Sequence, residues 1–351
     1  MRRLSPVTLA CALAVAACSP PAADLESRME PAPAADLRTR LDAHFQAAAR
    51  SGFSGAVLVA REGETVLRAG YSPGGTITPE NAFWIGSLVK PIAASAILKL
   101  VDEGRLSTND SIGRFLGGVP ADKREITVHH LLTHTSGLPH AYVAEGITDR
   151  GAAVRAILAL PLERRPGAQA SYSNDAFTLL AAIVEIASGR PYEQFVEQAV
   201  LNPAGMAHSG FWPGPAASIA PVGSMPRPEI ARPNWGYRGA TGMYSTVDDL
   251  LAFTRALRGG RIVSPGSAAR AMGTQVDRSG DASDIGYGWF LAERSGVPLI
   301  THSGAETGLD HYGWVYVLPA SGLTLVLLSN SPEELAGQVS RGALRIILSA
   351  P

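Results

Sequence analysis

A chain of 351 residues, 46% apolar and 17% charged, can bury a large core and carries too few charges for a disordered chain. Its length fits one large domain or two closely joined ones. Thirty Lys and Arg against 31 Asp and Glu leave a formal net charge of -1, which excludes nucleic-acid binding driven by bulk basic charge.

The chain opens with Met1-Arg2-Arg3, an apolar run from Leu4 to Ala17, and Cys18. A charged start and a short apolar run read as a secretory signal, because a membrane span needs roughly 20 apolar residues. Ala16 and Ala17 before the cysteine resemble the end of a bacterial lipoprotein signal. That resemblance implies cleavage after residue 17, lipidation of Cys18 and a periplasm-facing protein on a lipid anchor, with Ser19 favouring the outer membrane. Ordinary signal-peptidase cleavage is the alternative. Cys11 would leave with the signal and Cys18 would carry lipid, so no thiol would remain for a disulfide, a metal or a nucleophile. Residues 18–34 are rich in Pro and Ala without an apolar period and read as a tether.

Leu37, Leu41 and Phe45 have helical spacing and predict an amphipathic helix over Asp36–Arg50. Phe53–Ala60 and Thr65–Ala69 flank Arg61-Glu62-Gly63-Glu64 and predict a β-hairpin. A helix rich in Ala, Leu and Ile is expected from Ser87 to Glu103, ending at Gly104. The stretch to about Asp284 reads as helix and loop, with helices over Gly151–Leu160, Asn174–Ser188, Tyr192–Val200 and Thr246–Arg258. Strand patterns return at Gly286–Ala292, Leu299–His302, His311–Val317 and Leu323–Leu328, and a helix over Pro332–Leu348 closes the chain. The expected fold is α/β (α+β): an antiparallel sheet flanked by helices, built from 35–104 and 285–350, with an inserted helical lobe over 105–284. A cleft between the two lobes is the expected place for a small-molecule site.

Lysine occurs only at positions 90, 99 and 123, against 27 arginines. A Lys in the apolar helix start Ile85-Gly86-Ser87-Leu88-Val89-Lys90-Pro91 therefore needs a reason that Arg cannot meet. A desolvated Lys can lose its proton and act as a base. Ser87 lies one helical turn before Lys90, at a helix N-terminus that favours developing negative charge. An N-cap Ser followed by a surface Lys is the structural alternative. Tyr172-Ser173-Asn174 opens a later apolar helix. A phenol beside an ammonium can have its pKa lowered and serve as a base, and Asn174 offers an amide to Lys90 or to a substrate carbonyl. His302-Ser303-Gly304 ends a strand pattern where Gly304 would let the backbone approach a ligand. His208-Ser209-Gly210 repeats that motif but sits in a Pro- and Gly-rich loop.

Two rival motifs point elsewhere. Gly70-Tyr71-Ser72-Pro73-Gly74 matches the Gly-x-Ser-x-Gly elbow, which needs a helix directly after the serine; Gly75, Thr76 and Pro79 predict a loop instead. His130 and His134 have the i, i+4 spacing of zinc helices, with His129 adjacent, but Leu131 replaces the expected Glu and no third ligand is evident.

The order Ser-x-x-Lys, Tyr-x-Asn, His-x-Gly resembles the serine β-lactamase and penicillin-binding-protein superfamily, in its class C β-lactamase-like branch. The resemblance spans roughly Leu37 to Leu348. It extends to Leu100-Val101-Asp102-Glu103-Gly104-Arg105-Leu106, to Leu131-Leu132-Thr133-His134-Thr135-Ser136-Gly137-Leu138-Pro139, to Pro203-Ala204-Gly205-Met206 and to Gly239-Ala240-Thr241-Gly242-Met243-Tyr244-Ser245-Thr246. It implies acyl transfer without a cofactor or metal: Ser87 as nucleophile, Lys90 and Tyr172 moving the proton, and the N–H groups of Ser87 and Ala305 holding the oxyanion. Asn174, His302, Ser303 and Gly304 would contact substrate. His302 stands where β-lactamases of this branch usually carry Lys, and Val89 where many relatives have a small hydroxyl residue. The His form resembles the esterases, D-amino-acid peptidases and DD-peptidase-like members. Small acyl, peptide or β-lactam-like substrates are therefore expected, with esterase or cell-wall-peptidase-like action ahead of true β-lactamase activity. A non-catalytic lipoprotein that binds cell-envelope peptides is the reading from a different class.

Overall fold

The computed structural model describes residues 34–212, 234–276, 284–306 and 309–350. The signal over 1–17, Cys18, the tether up to residue 33 and most of the Pro-rich stretch Phe211–Arg232 lie outside these residues.

Helix α1 (Ala34–Arg50) buries Leu37, Leu41 and Phe45 completely, as an i, i+4, i+8 stripe should. The hairpin follows as β1 (Gly55–Arg61) and β2 (Glu64–Tyr71), with Glu62 and Gly63 both at positive φ in the turn. β3 (Phe83–Trp84) leads through a tight 3-10 turn at Gly86–Leu88 into α2 (Val89–Asp102). The helix expected from Ser87 thus begins two residues later, and Ser87 sits in the turn before it. The middle of the chain holds α3 (Val128–Leu132), α4 (Arg150–Leu158), α5 (Asn174–Ser188) and α6 (Tyr192–Val196). The helix expected over Tyr192–Val200 widens into a π turn at Glu197–Leu201 and runs into α7 (Asn202–Ala204). β4 (Gly210–Phe211), β5 (Met243–Ser245), α8 (Val247–Arg258) and α9 (Pro265–Met272) complete this part. The last strands are β6 (Asp284–Ile285), β7 (Phe290–Arg294), β8 (Val297–Glu306), β9 (His311–Leu318) and β10 (Leu323–Ser329), followed by α10 (Glu333–Leu348).

The strand expected over Gly286–Ala292 begins only at Phe290. Residues 286–289 turn between β6 and β7, and Gly288 adopts φ +73 with its Cα close to the Lys90 carbonyl; a Cβ there would lie 2.8 Å from that oxygen. Among the described residues, the strands form an antiparallel sheet in the order β2-β1-β10-β9-β8-β7-β6, and a small second sheet ordered β3-β5-β4.

The central strands are apolar on both faces, and their alternation sorts side chains into two cores. Val57 and Val59 of β1 and Leu325 and Leu327 of β10 pack with α1 and α10. Ala56 and Leu58, with Val326 and Leu328, join the core under α2, α5 and α8. α2 and α5 are buried along most of their length, which their nearly uninterrupted apolar sequences require. Ser87, at the head of α2, therefore lies at the seam between the sheet and the helical middle of the chain.

Candidate active site

The strand that faces Ser87 is β8. Its pairing with β7 runs from Arg294↔Val297 to Phe290↔Thr301, while its pairing with β9 continues to Glu306↔His311. The β8 edge beyond Thr301 is thereby left open to the turn that carries Ser87. Two glycines make the approach possible. A Cβ at Gly304 would lie 1.9 Å from the Ile85 carbonyl oxygen, and one at Gly86, which adopts φ +52, would lie 2.6 Å from the Ala305 nitrogen. Only bare Cα atoms allow these backbones to touch. The turn is also fixed from behind: Trp84 N–H donates to His311 Nδ1 at 2.9 Å, and Ile85 N–H donates to the Met243 carbonyl at 3.0 Å. The expected oxyanion residues, Ser87 and Ala305, are therefore brought to one place.

Lys90 is fully buried. Its Nζ lies 3.0 Å from Ser87 Oγ, 2.8 Å from Asn174 Oδ1 and 2.9 Å from the Ala240 carbonyl. Burial holds its pKa well below the ordinary amine value. The geometry fits that direction. A neutral amine has two N–H donors, which the two carbonyl-type oxygens of Asn174 and Ala240 accept, and its lone pair then falls on the Ser87 hydroxyl. Asn174 reaches this position because it is the first residue of α5, whose N-cap Ser173 accepts the Ala176 N–H.

Tyr172 Oη donates to Ser87 Oγ at 2.7 Å. The phenol is not shifted down, contrary to the expectation from Tyr-x-Asn beside a lysine. Burial raises the Tyr172 pKa above its ordinary value, and the hydrogen bond to Ser87 only partly opposes this. Desolvation is the larger effect, and the neighbouring Lys90 does not reverse it. Tyr172 is a proton donor in this arrangement, and Ser87 is bracketed by an acid on one side and a base on the other.

His302 is only 2% exposed, and its ring lies 5.2 Å from that of Phe290. Nδ1 donates to the Ser303 carbonyl at 2.7 Å, while Nε2 is buried without a hydrogen-bond partner. Burial, reinforced by Lys90, pushes its pKa down to about 3, so the ring is neutral near pH 7. Ser303 and Ala305, alternating with it along β8, are exposed.

Several other contributors have roles that no residue type announces. Ala240 acts through a main-chain oxygen, held in a turn where Gly239 adopts φ +78 against the Phe177 carbonyl. A row of rings runs through Trp84, three residues before Ser87: Tyr142 beside Tyr237 at 6.5 Å, Tyr237 beside Trp84 at 6.3 Å, and Trp84 beside Trp212 at 6.5 Å. Trp84 Nε1 donates to Thr241 Oγ1 and Tyr237 Oη to Glu145, tying this row to the segment that supplies Ala240.

The rival motifs fall elsewhere. Ser72 sits in a turn after β2, where its Oγ accepts the Thr76 and Ile77 N–H groups, and no helix follows. His130 closes a capping box with Thr127, His129 contacts the Tyr287 hydroxyl, and His134 lies beyond the end of α3 at φ +58, so the i, i+4 face does not form. Among the described residues no group of three or more His, Cys, Asp or Glu could hold a metal ion. His208-Ser209-Gly210 does adjoin a short strand, β4, contrary to the loop expected there. His208 N–H and Ser209 Oγ both donate to Asp249, which anchors β4 to α8.

The family model described as beta-lactamase matches residues 39–348. The chain belongs to this family, whose members are serine hydrolases that act through an acyl-enzyme. It is similar to esterase EstB of Burkholderia gladioli, with 31% identity over 86% of this chain and 92% of the relative. It is also similar to the D-alanyl-D-alanine-carboxypeptidase/endopeptidase AmpH of Escherichia coli, with 28% identity over 80% of this chain and 81% of the relative. Among solved structures, the octameric penicillin-binding protein homologue from Pyrococcus abyssi matches with a TM-score of 0.73 and 25% identity, over 90% of this chain and 77% of that one. Among the described residues no helix is long and apolar enough to cross a membrane.

Proposed function

We propose that Ser87 is the acylating nucleophile of an enzyme that cleaves small esters or D-amino-acid and cell-wall-type peptides. The observation that carries this reading is the placement of Ser87 Oγ between Lys90 Nζ at 3.0 Å and Tyr172 Oη at 2.7 Å. As Ser87 Oγ bonds to the substrate carbonyl carbon, its proton passes to the Lys90 lone pair and the carbonyl electrons move onto oxygen. The N–H groups of Ser87 and Ala305 hold that oxyanion, a contribution commonly worth about 3 kcal/mol or more per donor. The intermediate collapses, the carbon–leaving-group bond breaks, and Tyr172 gives the leaving atom a proton, which the Lys90 ammonium then returns to the phenolate. A water molecule then repeats the addition, returning the proton to Ser87 and releasing the acid. Asn174 fixes Lys90, and Ser303 and Gly304 border the bound acyl group.

The substrate preference rests on His302. A fixed positive charge at this position suits the carboxylate of a β-lactam, whereas a buried neutral imidazole does not supply one. The similarity to an esterase and to a carboxypeptidase/endopeptidase points the same way. True β-lactamase activity is the second reading. We further propose that residues 1–17 are a lipoprotein signal and 18–33 a tether, shortened from the expected 18–34 because Ala34 already belongs to α1, with Cys18 carrying the lipid at the periplasmic face of the outer membrane. In this organisation 35–104 and 285–350 form a sheet lobe and 105–284 a helical lobe.

Hydrolysis of a short-chain nitrophenyl ester by the detergent-solubilised full-length protein tests the assignment. Ser87→Ala should lower kcat/KM by about 10³-fold or more, Lys90→Arg should do nearly as much because a guanidinium cannot give up its proton, and Ser72→Ala should leave the rate unchanged. Activity that survives in Ser87→Ala and disappears in Ser72→Ala overturns the nucleophile. No acylation by any ester, peptide or β-lactam would instead favour a non-catalytic peptide-binding role.

A further inference from the structure

We propose that His134 is a positioning residue that holds the Tyr172 phenol on the Ser87 hydroxyl. The inference rests on the roles given above to Tyr172 and Ser87. Tyr172 belongs to no helix or strand; it stands just before α5, at the end of a loop. That loop is laid along the segment after α3. Glu163 N–H donates to the Gly137 carbonyl at 2.9 Å, Gly167 N–H to the Thr135 carbonyl at 2.8 Å, and Ser171 N–H to the His134 carbonyl at 2.8 Å. The next N–H but one, from Ser173, donates to His134 Nδ1 at 3.1 Å. One residue thus accepts the N–H on each side of Tyr172. Its ring also packs on the phenol, with centroids 4.5 Å apart and planes at 31°.

The arrangement explains two otherwise costly features. His134 adopts φ +58, a left-handed backbone that a residue with a Cβ rarely occupies and that surrounding structure must hold in place. This turn of the backbone presents both the carbonyl and the side chain of one residue to the two ends of a tripeptide. The ring is also buried, at 3% exposure. A histidine accepting through Nδ1 must carry its single proton on Nε2, and the buried setting keeps that neutral form. The ring also packs on Phe177 at 5.1 Å, and Lys90 has its own anchors in Asn174 and Ala240.

Single-turnover acylation by a nitrophenyl ester, measured on the full-length protein with Tm recorded for every variant, tests this. His134→Phe keeps a ring but removes the acceptor; it should slow acylation about 10- to 100-fold with KM within about threefold of wild type, the expected result of misplacing one catalytic group. His134→Asn places an amide oxygen near the Nδ1 position and tolerates the left-handed backbone, so it should restore acylation to within about threefold of wild type. In a Tyr172→Phe background, His134→Phe should cost less than about threefold more, because there is no phenol left to misplace. Wild-type acylation in His134→Phe overturns the clamp, as does an equal loss with and without Tyr172. If His134→Phe does not fold, a folded His134→Asn that loses more than tenfold overturns it instead. Tyr172→Phe acylating at the wild-type rate would remove the Tyr172 assignment itself, and the clamp with it.

Discussion

Asp175 offers a stability prediction whose size follows from its surroundings. It follows Asn174 in the first turn of α5 and is fully buried. Oδ2 accepts only a long hydrogen bond, 3.4 Å from the Val143 nitrogen, and Oδ1 has no hydrogen-bond partner. Burial accordingly pushes its carboxyl up from 3.8 to about 6, opposed only by the Val143 contact. The native state holds this proton more tightly than the unfolded chain. Stability is therefore greatest below the unfolded value near 3.8, falls as pH rises toward about 6, and stays low above it. The rise corresponds to about 3 kcal/mol lost between the two plateaus. Asp175→Asn keeps an acceptor for Val143 and removes the charge, while its own NH2 group takes the unpartnered position. The net gain should be about 1–3 kcal/mol at pH 8 and should shrink to about zero at pH 3.5. Urea unfolding of both proteins at pH 8, 6 and 3.5 measures this directly. A stability difference independent of pH, or a variant less stable at pH 8, would refute the reasoning.

Two further predictions concern the site. Gly304→Ala places a methyl group where the Ile85 carbonyl stands, so the β8 edge must move away from Ser87; kcat/KM should fall about 10²-fold, with about 1–3 kcal/mol lost in unfolding experiments, and near-wild-type kinetics would show that the close approach is not needed. His302, with a pKa pushed down to about 3, does not titrate between pH 5 and 8. His302→Gln should therefore leave the shape of the kcat/KM profile over that range unchanged, whereas the loss of an inflection near pH 6–7 would mean that the imidazole is charged in the working enzyme.

Much of the site was legible because it is built from side chains with narrow chemical uses. A rare lysine one helical turn from a serine, a Tyr-x-Asn before an apolar helix and a His-x-Gly ending a strand converge on Ser87. The central strands and α5 were equally plain, since their apolar runs admit few other environments. Other features had no residue code. Ala240 contributes a main-chain oxygen, which any residue could provide. The direction of the Tyr172 shift depends on burial, a tertiary property. His134 looked like half of an i, i+4 metal pair until its left-handed φ took it off the helix. The division of β6 from β7 follows from the close approach of Gly288 to α2, a contact between distant parts of the chain.

The pairing of β1 with β10 has a consequence for the order of assembly. Gly55 lies opposite Ser329, so the first hairpin acquires its inner neighbour only when nearly the whole chain is present. A nascent polypeptide can gather its helical middle early, yet β8, β9 and β10 are among the last segments made, and such distant pairings form slowly. Until they do, the turn bearing Ser87 has no partner strand, and the Ala305 N–H is not yet beside it. The order of synthesis thus makes the proposed site one of the last parts of the fold to be assembled.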